Sequence, residues 1–207
     1  MNEVAAILLA AGRSERMGAF KPLLPFGGKT VIENCIEYLS DGGVESIVVV
    51  LGHRADDVRK QLANTSVRFV VNPDPESEMS VSIACGVRLL PEHTRATVIA
   101  LTDQPAIPSE VVATLIDEWK TTGAKLIVPE YDGRGGHPVL VDLAFREELL
   151  ALDEKRGLRA LFDAHREQVR CVLVESPYIA RDIDTWDDYR TLHQEVFGTT
   201  PPAKSCA

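Results

Sequence analysis

Three basic residues follow the first apolar run of this sequence and lie close to glycines. Residues 4–9 are apolar, and Arg13, Arg16 and Lys21 come after them within nine residues, near Gly12 and Gly18. Glycine lets backbone N–H groups approach a phosphate, arginine binds phosphate oxygens in pairs, and lysine adds a mobile point charge. The spacing predicts a loop that binds a polyanion, although a solvated basic turn would have the same composition.

Two common phosphate-binding motifs are absent from the sequence. A P-loop that ends at Gly28-Lys29-Thr30 requires a glycine where this chain has Leu23. A dinucleotide-binding fingerprint with Gly12 as its second glycine requires glycine at Ala10, and glycine or alanine at Glu15. The basic loop is therefore predicted to bind its anion by a different pattern.

A carboxylate that could serve chemistry is Asp103, which lies just beyond the apolar run of residues 97–101. An unpaired buried carboxylate costs free energy, and a hard cation with oxygen ligands relieves this cost. The sequence therefore predicts a cation site at Asp103. The alternative is that Asp103 caps the helix that follows Pro105.

These residues are positioned by an alternation of short β-branched runs with longer amphipathic stretches. This alternation predicts an α/β fold with three layers: a Rossmann-like, mainly parallel sheet of about seven strands with helices on both faces. In such sheets ligands bind beyond the carboxyl ends of the strands. The predicted strands are residues 4–9, 46–51, 67–71, 97–101, 124–128, 138–141 and 169–174. The predicted helices are residues 30–39, 55–62, 80–89, 108–120, 143–150, 158–164 and 185–197.

Composition limits the classes of protein to which the chain could belong. It has 207 residues, with 22 Lys and Arg against 31 Asp and Glu, and a net charge of −9 that opposes non-specific binding to nucleic acid or anionic membranes. The longest apolar run has eight residues, and no basic segment precedes it, so we expect no membrane span, no secretory signal and a cytoplasmic location. Four cysteines without a CxxC spacing predict buried reduced thiols rather than a zinc site. Residues 1–197 are predicted to form one domain, followed by a mobile tail at residues 198–207.

The motifs together resemble one family. The run from Leu9 to Leu24, LAAGRSERMGAFKPLL, is similar to the nucleotide-binding signature of sugar-nucleotide and cofactor nucleotidyltransferases. The resemblance spans about residues 4–190 and identifies the chain as similar to the molybdenum cofactor cytidylyltransferases, which are related to the guanylyltransferases. It continues through Asn72-Pro73, Met79-Ser80-Val81-Ser82, Thr102-Asp103-Gln104-Pro105, Gly136-His137-Pro138 and Asp182-Ile183-Asp184-Thr185.

The resemblance implies a role for each matching position, and a fold like that of the nucleotide-diphospho-sugar transferases. Lys21, Arg16 and Asp103 would be catalytic, and Asp103 and Asp184 would hold Mg²⁺, with Mn²⁺ as the alternative. Arg134 and His137 would bind the acceptor. The implied nucleotide-binding residues are Leu9, Ala10, Ala11, Gly12, Arg13, Ser14, Arg16, Lys21, Asn72, Ser80, Ser82 and Asp103. Simpler readings stay open: capping for Ser80 and Asp184, a turn for Asn72, and a structural role for His137.

The implied reaction is transfer of CMP from CTP to the phosphate of a molybdopterin-type cofactor, with release of pyrophosphate. The acceptor oxygen attacks the α-phosphorus directly, so no protein nucleophile is needed. Use of GTP or another phosphorylated acceptor is one alternative, and a non-catalytic carrier or insertion chaperone is another. The expected partner is a molybdenum hydroxylase or its chaperone. The pair Lys21 and Asp103 argues against the carrier, because a carrier has no need of a metal–triphosphate site.

Overall fold

A computed structural model describes residues 3–74 and 76–201 of the chain. Eight strands form one sheet in the order β10-β7-β9-β6-β1-β4-β5, with β8 paired to β7, and β2 and β3 form a separate hairpin. The strands are β1 Val4–Ala10, β2 Pro25–Phe26, β3 Lys29–Thr30, β4 Ser46–Leu51, β5 Arg68–Val71, β6 Ala96–Leu101, β7 Leu126–Tyr131, β8 Arg134–Gly135, β9 Val139–Asp142 and β10 Val169–Leu173.

The sheet is mainly parallel, as predicted, and β9 is the important exception. It runs antiparallel to both of its neighbours, β6 and β7. The amino end of β9 therefore lies at the same edge of the sheet as the carboxyl ends of β1, β4, β5 and β6.

Helices cover both faces of the sheet, which confirms the predicted three-layer α/β fold. All seven residues of β1 are buried, and they alternate between two apolar clusters. Helices α1, α2 and α4 contribute to one cluster, and α3, α5 and α6 contribute to the other. The helices are α1 Val31–Asp41, α2 Ala55–Gln61, α3 Met79–Leu89, α4 Ser109–Thr122, α5 Arg146–Leu150, α6 Leu158–Ala164 and α7 Trp186–Phe197.

A third apolar cluster joins the last helix to the hairpin. Phe26 of the hairpin and Tyr189 and Leu192 of α7 are all buried, together with Met17 and Ile183. The side chain of Thr185 accepts a hydrogen bond from the N–H of Asp188 in a capping box at the start of α7. This packing brings residues 182–184, which lie just before α7, against the loops that follow β1 and β6.

Local departures from the predicted elements have simple causes. The helix predicted at residues 143–150 begins as a 3-10 turn at residues 143–145, in which the N–H of Arg146 donates to the carbonyl oxygen of Leu143, and Asp142 caps this turn by accepting from the N–H of Ala144. Cys171 is exposed rather than buried, since it lies on β10 at the edge of the sheet. Of the tail predicted as mobile, residues 202–207 lie outside the described residues, and the carbonyl oxygen of Thr199 is 2.7 Å from Nδ1 of His193. No helix in the described part of the chain is both long and apolar enough to cross a membrane.

Candidate active site

A cavity of about 270 Å³ opens where the strand order changes direction. From β1 the chain proceeds to β4 and β5 on one side and to β6 on the other, and ligands of open α/β sheets bind at such a switch point. The lining combines three groups of residues from the carboxyl ends of β1, β4, β5 and β6. They are Leu9, Ala10, Ala11, Gly12, Arg13, Ser14, Lys21, Pro22 and Gly52, then Asn72, Asp74, Ser77, Met79 and Ser82, then Leu101, Thr102 and Asp103.

The loop after β1 is shaped by close backbone packing. Ser14 has a positive φ of 57°, and its side-chain oxygen accepts a hydrogen bond of 3.2 Å from the N–H of Lys21. Gly52, after β4, allows the loop to lie close, because a Cβ there would be 2.6 Å from the carbonyl oxygen of Ala11. A Cβ at Gly12 would meet no atom within 4 Å, so that position faces open space. The loop therefore presents backbone to the cavity, as the sequence predicts for an anion-binding segment.

Lys21 lies between two carboxylates from distant parts of the chain. Its Nζ is 2.8 Å from Oδ1 of Asp184 and 3.9 Å from Oδ2 of Asp103. Arg16 contacts the other oxygen of Asp184, with Nη1 2.8 Å from Oδ2. The structure thus brings together the four residues predicted to carry the chemistry, although Arg16 and Asp184 do not line the cavity itself.

The two aspartates have opposite electrostatic environments. Burial raises the pKa of Asp103, and the nearby carboxylate of Asp182 raises it further. The hydrogen bond from Lys21 lowers the pKa of Asp184. Oδ1 of Asp103 is buried and has no hydrogen-bond partner. Asp103 therefore keeps an unpaired carboxylate oxygen, which is the type of ligand atom that Mg²⁺ prefers.

The donor set suits a cation that shares its ligands with a substrate. Among the described residues, no group of three or more His, Cys, Asp and Glu side chains is arranged to hold a metal. Mg²⁺ uses one or two carboxylates and completes its octahedron with phosphates and water. Asp103 and Asp184 fit that pattern, whereas a cage made wholly of protein ligands is not present in this part of the chain.

The wall formed after β5 is held by Asn72. Its Nδ2 donates to the hydroxyl oxygens of Ser77 and Ser82, each at 2.9 Å, and its Oδ1 accepts from the N–H of Asp74 at 3.0 Å. Both amide hydrogens are used in this way, so Asn72 holds the turn and also lines the cavity. Ser80 is buried, lies outside the lining and does not cap α3, whose N-cap residue is Glu78.

The two residues predicted to bind the acceptor lie at the same edge but outside the cavity lining. Arg134 is exposed on β8. The N–H of His137 donates to the carbonyl oxygen of Ile179 at 2.8 Å, and burial lowers the pKa of its ring. The loop is tightly seated, because a Cβ at Gly136 would be 2.1 Å from the same Ile179 oxygen.

Sequence reasoning did not assign roles to three residues at this site. Gln104 is buried and donates from Nε2 to Oδ1 of Asp182 at 2.7 Å. Glu76, on the segment between β5 and α3, forms an ion pair with Arg13 of the loop after β1. Gln104 and Asp182 lie beside Asp103 and Asp184 in the motifs that gave those two aspartates their predicted roles. Nothing else in the sequence points to Gln104 or Asp182.

Comparison with known proteins agrees with this geometry. The family model described as MobA-like NTP transferase domain matches residues 6–169. The chain is 27% identical over 197 residues to molybdenum cofactor cytidylyltransferase of Escherichia coli K12, covering 92% of the chain and 96% of that protein. It is 32% identical over 200 residues to nicotine blue oxidoreductase of Paenarthrobacter nicotinovorans, covering 91% and 96%.

Solved structures show the same relationship. Rv0371c from Mycobacterium tuberculosis superposes with a TM-score of 0.83 at 28% identity, covering 93% of this chain and 98% of that one. A structure of Rv0371c in complex with manganese superposes with a TM-score of 0.78 at 29% identity, covering 94% and 100%. The chain therefore belongs to the MobA-like NTP transferase domain family and is a nucleotidyltransferase.

Proposed function

We propose that this chain transfers CMP from CTP to the phosphate of a molybdopterin-type cofactor and releases pyrophosphate, with Mg²⁺ as the working cation. The observation that carries the proposal is the position of Lys21. Its ammonium group lies between Asp103 and Asp184, beside a glycine-containing loop at the switch point of the sheet. The named activity of the 27% identical relative from E. coli supports the choice of reaction.

The loop after β1 would hold the triphosphate. Ala11 and Gly12 line the cavity, and the side chain of Lys21 is only 13% exposed, so its charge acts in a partly desolvated place. Negative charge increases on pyrophosphate as it leaves, and a preorganised ammonium group stabilises that charge. Arg13 and Arg16 lie on the same loop and add to the positive potential.

Asp103 and Asp184 would hold the cation, which when bound neutralises charge on the triphosphate and polarises the α-phosphate. Asp184 contacts Lys21 and Arg16, and Asp103 offers its unpartnered Oδ1. A structure of Rv0371c in complex with manganese supports the use of a divalent metal by a related protein.

Positioning would carry the reaction, because the described lining holds no Ser/His or Cys/His pair of the kind that activates a protein nucleophile. Among the described residues that line the cavity there is no histidine or cysteine. In-line attack by the acceptor phosphate needs only that donor and acceptor be held in register. Arg134 and His137 lie at the same edge of the sheet and would bind the acceptor there.

Ala11 supports CTP as the donor. Ala11 lines the cavity, and we infer that its methyl group takes space that a purine would need. A steric difference of one methyl group is worth about 10–200-fold in kcat/KM. We expect CTP to be preferred over GTP by about two orders of magnitude.

The test measures pyrophosphate release from all four nucleoside triphosphates with one molybdopterin acceptor. Preferential use of CTP over many turnovers supports the proposal, while equal use of GTP contradicts the choice of donor. A single stoichiometric binding event without turnover would instead show a carrier. Because one relative is named an oxidoreductase, oxidation of NADH and NADPH is measured in parallel and is expected to stay at background.

A further inference from the structure

Three carboxylates, those of Asp103, Asp182 and Asp184, lie close enough to one another to interact, and two of them pair with Lys21. Asp103 and Asp184 approach its Nζ, whereas Asp182 pairs with the side chain of Gln104. Asp182 is close enough to Asp103 to raise its pKa. The contact that holds Asp182 beside Asp103 therefore also affects how Asp103 and Asp184 are placed relative to each other.

Gln104 joins the two segments that carry these carboxylates. It directly follows Asp103, and its Nε2 donates 2.7 Å to Oδ1 of Asp182, which is two residues before Asp184. The same nitrogen lies 3.4 Å from the carbonyl oxygen of Ile179. A second link runs from the N–H of Ile183 to the carbonyl oxygen of Asp103 at 2.9 Å.

The chemistry of Gln104 argues against a role as simple core filling. Its side chain is buried, at 3% exposure, and Oε1 has no hydrogen-bond partner. A buried polar atom without a partner costs free energy, about 1–3 kcal/mol in typical cases. An apolar side chain of the same size would fill this space without that cost, but it could not bind Asp182.

We propose that Gln104 is a positioning residue that fixes the segment of Asp184 against the loop of Asp103, and so sets the spacing of the two carboxylates that hold the cation. The inference rests on the proposed metal-dependent transfer. It predicts that substitution of Gln104 changes cation affinity and kcat. KM for CTP should change little, because the side chain of Gln104 makes its hydrogen bonds to Asp182 and Ile179 and not to the loop after β1.

The first test replaces the amide by a neutral side chain of similar length. Gln104→Met removes the bond to Asp182, and the dissociation constant of Mn²⁺, measured by electron paramagnetic resonance without nucleotide, is expected to rise about tenfold. Trp119→Phe is the matched control, because it removes a 2.8 Å hydrogen bond to Asp142, at the opposite edge of the sheet. The control is expected to lower the melting temperature without changing Mn²⁺ affinity.

The second test reverses the pair. Gln104→Glu sets two carboxylates against each other, and we expect kcat with CTP to fall about 100-fold while KM for CTP changes less than about threefold. Adding Asp182→Asn lets the new amide donate to the new carboxylate with the same side-chain lengths, so at least about tenfold of kcat should return. Asp182→Asn alone should stay within about threefold of the wild type, since its oxygen can still accept from Gln104.

Three results would overturn the inference. The first is unchanged Mn²⁺ affinity in folded Gln104→Met. The second is a tenfold loss of Mn²⁺ affinity in Asp182→Asn alone, which would make Asp182 itself a ligand. The third is failure of the reversed pair to exceed Gln104→Glu; this comparison also decides the matter if Gln104→Met does not fold. If the wild type binds Mn²⁺ but transfers no CMP, the proposed function fails while the Mn²⁺ measurements still test Gln104.

Discussion

Replacing Asp103 by asparagine should abolish transfer while leaving the cation-free protein as stable as before or more so. The carboxylate has one buried oxygen without a partner, and the negative charges of Asp182 and Asp184 oppose it. The attraction of Lys21, 3.9 Å away, opposes these effects without overcoming them, because the pKa of Asp103 is raised overall. Asparagine has the same shape and removes the charge.

The sign of the pH dependence follows from the raised pKa. A carboxyl group that ionises less readily in the folded protein favours unfolding as soon as the unfolded chain ionises, near pH 3.8. The resulting loss of folding free energy increases with pH until the pH exceeds the pKa of Asp103 in the folded protein, and it is then constant. The stability advantage of Asp103→Asn should therefore be complete at neutral pH and vanish below about pH 3.8.

The loss of activity has a different magnitude and a different cause. Removing a charged metal ligand costs about 10²–10⁴ in rate, which corresponds to about 3–5 kcal/mol of transition-state stabilisation. A cation at ten times its dissociation constant stabilises the wild type by about 1.4 kcal/mol, or roughly 3–6 °C in melting temperature. The variant should lack this stabilisation.

The assay combines thermal melts in EDTA and in Mg²⁺ with CMP transfer at saturating Mg²⁺. Asp103→Asn should melt at or above the wild-type temperature in EDTA, gain nothing from Mg²⁺ and transfer less than about 1% of the wild-type rate. A folded variant that keeps more than about a tenth of the activity would refute the metal assignment. A melting temperature more than about 2 °C lower in EDTA would refute the electrostatic argument.

Three further variants test the rest of the site. Lys21→Ala should lower kcat with CTP about 10²–10³-fold and raise KM far less, because charge develops on pyrophosphate; an unchanged kcat would limit Lys21 to binding. Gly52→Ala should raise KM for CTP at least about tenfold by displacing the Ala11 carbonyl, whereas Gly28→Ala, where a Cβ meets nothing within 4 Å, is the control that should not. Ala11→Gly should reduce the preference for CTP over GTP toward unity, and a preserved preference would show that the base is read elsewhere.

The sheet and the centre of the site could be predicted because their signals are local. β1 is buried on both faces, so it reads as a continuous apolar run, and the chain beyond it must reach the carboxyl edge. Lys21 and Asp103 follow β1 and β6, which are neighbours in the sheet. Their closeness therefore follows from two correct strands and one rule of topology.

Other features depend on contacts that no local pattern encodes. The direction of β9 is not written in its apolar residues, yet it places His137 at the active edge. The amide of Asn72 is used in its own turn, which was the open alternative to nucleotide binding at that position, and only the structure shows these bonds. The bond between Gln104 and Asp182 joins residues 78 positions apart, and the segment of Asp182 leads into α7, which packs on the hairpin.

The charges of the site explain why cation and nucleotide should bind together. In the described part of the chain, Asp103 and Asp184 pair with Lys21 and Arg16, and Asp182 adds a third carboxylate beside Asp103, so we expect the centre to be negative before a triphosphate arrives. A triphosphate alone would add repulsion, and a divalent cation alone would compete with Lys21 for Asp184. A cation held by the carboxylates would also attract the phosphates, so each ligand would strengthen the binding of the other by the same factor. We therefore expect a bare nucleotide to be a poor ligand of this site and its metal complex to be a good one.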